Sequence, residues 1–415
     1  MAKTLDVYLQ HDLAGRLIQD NHGEMIFTYA ENWLNNSNSI PLSHSLPLRK
    51  ERFSRKECRG FFAGLLPEES KRELIAKNLG ISAKNDFSML EQIGGECAGA
   101  VTFIPAGVPL PEHDCRYRKL SNKELAAILR ELPRRPLLAG DQDVRLSLAG
   151  AQDKVAVHVA EGHISIPLGG APSTHILKPA NEHFDGVVFN EAFCMKLASA
   201  IGLPVANVET GKIENIDYLL VQRYDRAVVR TIPPGSVHLE RLHQEDFCQA
   251  LGIVSEKKYQ AEGGPSIKQC FDLLREVSTT PVIDLQRLLD GIIFNYLIGN
   301  NDAHGKNFSL VYNEGEEWEI RLAPFYDLLS TAYYPNLSPK MAMKIGGEYV
   351  SSKIAPKNFE QLAENAGLAK PIVRKRVPEL ARNILDNLDN VKIAHKVAKT
   401  VADQIHKRCQ ETIDE

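Results

Sequence analysis

The chain has 415 residues, 43% hydrophobic and 25% charged, with ordinary Gly and Pro contents of 28 and 22. That suggests two or three domains and excludes a collagen-like, low-complexity or largely disordered protein. Forty-nine Lys and Arg against 53 Asp and Glu leave a net charge of −4, so no global basic field draws the chain to nucleic acid or an anionic membrane, and any DNA contact is expected to be a local patch.

Residues 1 to about 30 alternate apolar and polar side chains around the turns HDLAG and Asn21-His22-Gly23, which predicts a small strand meander. Pro-bounded loops follow, then a helix from about Glu68 to Asn78 and a strand, AGAVTFIP, that closes at Pro105. The Pro-rich stretch from Ala106 to about Cys115 reads as a linker. Ser121 with Glu124 makes a capping box that starts the next helix. From Asp143 short strands predominate (VRLSL, KVAVHVA, GHISIP, THILK), then the helix FNEAFCMKLASA and the strands VANVETGKI and YLLVQRYD. After about Leu242 the pattern is mainly helical, including HQEDFCQALGI, and one hairpin, FSLVY against WEIRLAPFYD, interrupts it. Seven Cys lack any CxxC pairing and no apolar run reaches about 18 residues, so a reduced, cytoplasmic chain without a membrane span is expected.

The sharpest local signal is Asn301-Asp302-Ala303-His304-Gly305-Lys306-Asn307, between a long apolar helix and the hairpin. An Asp followed five residues later by Asn is the spacing of a kinase catalytic loop, where Asp accepts the substrate hydroxyl proton and Asn holds magnesium. Beyond the hairpin, Asp327 supplies a second carboxylate for the metal, and hard oxygens suit magnesium. Upstream, Ser147 and Leu148 lead into Ala149, Gly150, Ala151, Gln152, Asp153 and Lys154, whose small residues allow backbone N–H groups to approach phosphates. Lys178 ends a strand where its ammonium could neutralise phosphate oxygens, and Glu191 on the next helix could pair with it. Each piece alone also fits a structural role: a solvated helix cap, a turn carboxylate, a strand-end Lys. Their order along the chain is what makes one nucleotide site.

The segments LSLAGAQDKVAV, STHILKP, NEAFCMKLASAIGLPVA, RLHQEDFCQALG, IGNNDAHGKNFSL and LAPFYDLLS closely resemble the HipA-type serine/threonine kinases, toxins of bacterial toxin–antitoxin pairs. The resemblance implies an α+β, protein-kinase-like two-lobed fold: a β-rich N-terminal subdomain (1–110), a kinase N-lobe (111–242) and an all-helical C-terminal lobe (243–415). It implies transfer of the ATP γ-phosphate, with Mg2+, to serine on a protein, reported for the family as glutamyl-tRNA synthetase. Carried onto this chain, Asp302 is the catalytic base, Asn307 and Asp327 hold magnesium, Lys178 meets the phosphates, residues 149–154 form the phosphate loop, and His304 and Lys306 flank the transferring phosphate. Ser147 corresponds to the loop serine that family members autophosphorylate to switch themselves off. The adenine-binding connector is placed at His238, Leu239 and Glu240.

The implied partner is HipB, a small dimeric helix-turn-helix antitoxin that binds operator DNA with HipA docked beside it. Lys370, Arg374, Lys375 and Arg376 form a local basic cluster that fits either DNA phosphates or a solvated helix face. Two other readings stay open: a catalytically silent co-repressor that keeps the kinase fold, and a small-molecule or lipid kinase.

Overall fold

The alternating N-terminal pattern forms strands Lys3–Leu9, Asp12–Gln19 and Met25–Tyr29, an antiparallel meander whose first strand also pairs with Val101–Pro105. Leu5, Val7, Leu17 and Phe27 turn their side chains to one buried face, as a period of two requires. Helices Arg55–Gly64, Glu69–Leu79 and Asp86–Ile93 follow, the last started by the Asn85 carboxamide accepting from Ser88 N. The computed structural model describes residues 3–110, 116–230, 237–315 and 318–414. Residues 111–115 of the expected linker lie outside them.

A six-stranded antiparallel sheet comes next, in the order Arg116–Lys119, His163–Leu168, Val155–Ala160, His175–Pro179, Ile216–Gln222, Val208–Ile213. The helix Val187–Ala200 packs against its Ile216–Gln222 and Val208–Ile213 strands, and Asn122–Glu131 starts with the expected Ser121–Glu124 capping box. Lys178 sits in a central strand, where its side chain is fixed rather than waving in solvent.

The remaining lobe is built on helices Ile267–Val277, Pro281–Ile298, Pro356–Asn365, Lys370–Asn387 and Lys396–Asp414. It is not the all-helical lobe that the family resemblance implied, and it holds more strands than the one hairpin read from the sequence pattern. His243–Asp246, Ser309–Asn313 and Glu319–Leu322 form a three-stranded sheet, and Lys340–Ile345 pairs with Glu348–Val350. The segment HQEDFCQALGI, expected as one helix, is a strand followed by the four-residue helix Phe247–Ala250. The reason is tertiary: the buried Glu245 carboxylate accepts from Ser43 Oγ, His44 N and Tyr312 Oη, contacts that an extended chain reaches.

Candidate active site

A cleft of about 760 Å³ is lined by residues of the six-stranded sheet, the helical lobe and the N-terminal part of the chain. The buried helix Pro281–Ile298 leads to its floor and ends at Gly299 in the left-handed conformation (φ 73°), which turns the chain sharply into residues 300–307. Asn300 Nδ2 donates to Asn295 Oδ1 at 2.7 Å, and Asn300 Oδ1 accepts from Asp302 N at 3.2 Å, so the turn is braced on the helix that precedes it. Asp302 opens into the cleft and accepts from Tyr259 Oη at 2.8 Å. Partial desolvation in the cleft raises its pKa from the ordinary value, with the Tyr259 bond opposing. Asn307 closes the turn: its Oδ1 accepts from His304 N at 3.0 Å, and its Nδ2 donates to Asp327 Oδ2 at 3.1 Å.

Asp327 adopts φ 58°, a conformation that costs an Asp little and aims its carboxylate inward. Its other oxygen accepts from Lys178 Nζ at 2.7 Å, and Lys178 also donates to Glu191 Oε1 at 2.7 Å. One ammonium thus joins a strand, a helix and the chain beyond the hairpin. Burial alone would lower the Lys178 pKa, but Asp327 and Glu191 outweigh it and hold the ammonium charged. Burial would likewise raise Asp327, and Lys178 and Lys154 hold it well below the usual carboxylate range. Glu191 itself is raised, because burial outweighs the pull of Lys178.

Residues 5–104 match the HipA N-terminal domain, and 146–388 match the HipA-like C-terminal domain. The chain belongs to the HipA family. It is 48% identical to a putative kinase of Sinorhizobium fredii over 91% of this chain and 89% of that protein. It is 30% identical to the serine/threonine-protein kinase toxin HipA of Shewanella oneidensis over 92% of this chain and 87% of that protein. The solved structure of the Shewanella oneidensis MR-1 toxin–antitoxin system, HipA with HipB and its operator DNA, superposes with a TM-score of 0.84 at 28% identity, covering 99% of both chains.

In this HipA-family chain the loop expected to meet phosphates lines the cleft through Ala149, Gly150, Ala151, Gln152 and Lys154. Gly150 has φ 103°, and a Cβ there would stand 2.5 Å from Lys154 Nζ, so a side chain at this position would collide with the cation of the same loop. Lys154 donates to Ala149 O at 2.8 Å, and burial, aided by Lys178, pushes its pKa down to about 8. Asp153 departs from expectation: it does not line the cleft but pairs with Lys71 at 2.5 Å. Ser147 is fully buried, its Oγ donating to Leu65 O at 2.8 Å and its N to Glu96 O at 2.9 Å.

His304 and Lys306 both line the cleft, but the imidazole is uncharged and the ammonium is engaged by its neighbours. Burial, with Lys258 beside it, pushes His304 down to about 3, so it is neutral at pH 7. Lys306 is buried and donates to Asp246 Oδ2 at 2.7 Å and Gly64 O at 3.2 Å.

The connector was expected at His238, Leu239 and Glu240, and its described side chains are not at the cleft. Leu239 and Glu240 lie on the strand Val237–Arg241, paired with Arg226–Arg230, and do not line the cleft; the His238 side chain lies outside the described residues. The cleft is lined instead by Val221 to Asp225, at the end of the strand Ile216–Gln222. That turn is clamped from the N-terminal part of the chain. Glu96, fully buried, accepts from Arg223 and Arg226 at 3.0 and 2.8 Å, and Asp225 accepts from Gly99 N at 2.7 Å. Sequence reasoning also missed Glu68, Lys258 and Tyr259, which line the cleft without belonging to any recognisable motif, and Asp246, which lies within the family-like segment RLHQEDFCQALG but was given no role.

The basic cluster is mostly neutralised. Lys370 pairs with Glu364, Arg374 with Glu360, and Arg376 with Asp290, which favours the solvated helix face over a DNA contact.

Proposed function

We propose that this chain is an ATP- and magnesium-dependent serine/threonine protein kinase that works as the toxin of a toxin–antitoxin pair. The observation that supports it is the convergence of Lys178, Asp327 and Asn307 in one cleft beside an open Asp302, with the buried Glu191 holding Lys178 from behind. Asp327, which Lys178 and Lys154 keep ionised, and Asn307, whose Oδ1 would exchange its bond from His304 N for the metal, are the side chains that would hold magnesium. Magnesium bound there would draw charge from the phosphates of ATP.

The protein's own part is positional. Val221–Asp225 receives the base, residues 149–152 and Lys154 face the phosphates, and Lys178 is held ready by Glu191. Asp302 accepts the hydroxyl proton of a serine presented at the cleft mouth. Ser147 is the self-modification site; since its hydroxyl is buried, its segment has to leave Leu65 and Glu96 before it can accept phosphate. A phosphate adds about −1.5 to −2 charges and cannot return to that apolar seat, so the modified enzyme stays off. The partners in this reading are a HipB dimer on operator DNA, and the target is a translation component, glutamyl-tRNA synthetase.

Incubation of wild type and Asp302→Asn with Mg-ATP labelled at the γ-phosphate, with purified glutamyl-tRNA synthetase, tests the reading. Label in the synthetase with wild type and none with Asp302→Asn is the expected result. Equal labelling by both proteins removes Asp302 from its role, and labelling by neither removes this target.

A further inference from the structure

The Asp302 carboxylate takes one side-chain hydrogen bond among the described residues, from Tyr259 Oη to Oδ1 at 2.8 Å. Its second oxygen is left without such a partner. A lone carboxylate on a turn rotates freely about its last torsion, so a single donor on one oxygen decides where the other points. Tyr259 is itself held on all sides. Its ring meets His304 edge-on, with centroids 5.4 Å apart. Its carbonyl accepts from Glu262 N and Gly264 N, both at 2.9 Å. Gly264 has no side chain to spare: a Cβ there would stand 2.4 Å from Lys257 O and 2.6 Å from Lys258 O, so only glycine lets the turn close on itself. Gln260, the next residue, accepts from Lys344 N at 2.9 Å.

The anchor comes from the N-terminal part of the chain. Lys258 donates to Glu68 Oε2 at 2.8 Å and Glu69 Oε1 at 3.2 Å, and Glu68 N donates to Gly150 O of the phosphate loop at 3.4 Å. A continuous chain of contacts therefore runs from the phosphate loop through Glu68, Lys258 and Tyr259 to Asp302.

We propose that Tyr259 is a positioning residue that orients Asp302 toward the acceptor hydroxyl, and that Glu68 and Lys258 hold it there; the inference rests on Asp302 acting as the base. Burial and the facing carboxylates push the Tyr259 hydroxyl far above its ordinary range, so it remains a donor throughout the working pH range. The charged groups that face Asp302 are Lys258, Asp327 and Glu69.

Tyr259→Phe keeps the ring against His304 and removes only the donor. The test compares it with wild type in two ways: titration of the Asp302 carboxyl by NMR on aspartate-labelled protein, assigned from its loss in Asp302→Asn, and consumption of Mg-ATP by transfer to the chain or to water. In Tyr259→Phe, Asp302 is expected to titrate at higher pH. Its maximal rate is expected to fall about tenfold, the size of one lost hydrogen bond to a charged group, with the KM for ATP unchanged. Lys258→Met is expected to shift both readouts in the same direction by less. Superimposable titrations and rates, or a loss confined to the KM for ATP, overturn the proposal. A wild-type rate in Asp302→Asn overturns the base assignment and the proposal with it, and is recognisable because the Tyr259-dependent titration persists.

Discussion

The Lys178 ammonium lies 2.7 Å from the Asp327 carboxylate although 149 residues separate them, and the same nitrogen reaches Glu191 at 2.7 Å. This one cation ties the six-stranded sheet to the helical lobe. In Lys178→Met, Glu191 remains buried without its partner, and breaking a buried pair costs about 3–5 kcal/mol. Chemical denaturation is expected to show that loss together with loss of phosphotransfer. Adding Glu191→Gln should restore part of the stability and none of the activity. Full activity in the single variant would contradict the role given to Lys178.

Ser147 has no room for a charge. In Ser147→Asp a carboxylate would replace a hydroxyl bonded to Leu65 O in a fully buried seat, at a cost of several kcal/mol unless the segment leaves. ATP affinity measured by calorimetry is expected to fall at least tenfold, with new protease cleavage between residues 147 and 154. Ser147→Ala should bind ATP as wild type does. Unchanged affinity in Ser147→Asp would show that the loop tolerates a charge in place.

The connector can be located by substitution. Val221 lines the cleft beside Ile176 and Ala206, whereas Glu240 lies off it. Val221→Trp is expected to raise the KM for ATP at least tenfold by filling the space, and Glu240→Ala to leave it unchanged. The reverse pattern would return the connector to the strand Val237–Arg241.

Stability should depend on pH through Glu245. Burial pushes its carboxyl up to about 7, against the opposing hydrogen bonds from Ser43, Tyr312 and His44 N. A raised folded-state pKa means the folded chain holds a proton that the unfolded chain releases above its ordinary 4.5. The contribution is therefore full below about 4.5 and is lost as pH rises through about 7. Relative to Glu245→Gln, wild type is expected to lose about 2–3 kcal/mol across that window. Parallel stability curves for the two proteins would contradict the assignment.

The meander, the Ser121–Glu124 cap and the strand carrying Lys178 were legible because local alternation and capping dictate them, whereas the central place of that strand in its sheet was not. The order of Lys178, Asp302, Asn307 and Asp327 was legible because a kinase-type site needs those side chains in that succession. The strand His243–Asp246 was not, since its partner Ser309–Tyr312 lies more than 60 residues away and its buried polar residues mimic a solvated helix. The cleft lining at Val221–Asp225 was missed for a related reason: Arg223 and Asp225 look like surface charges until Glu96 and Gly99 N bury them. Tyr259 carries no pattern at all, and only the folded turn brings it to Asp302.

The most direct measurement is intact-mass and peptide-mapping spectrometry of wild type and Asp302→Asn after incubation with Mg-ATP. Wild type is expected to gain one phosphate, mapped to Ser147, while Asp302→Asn gains none. Phosphate on Ser147 in both proteins, or ATP bound by both with no phosphate gained by either, would contradict a self-phosphorylating kinase with Asp302 as its base.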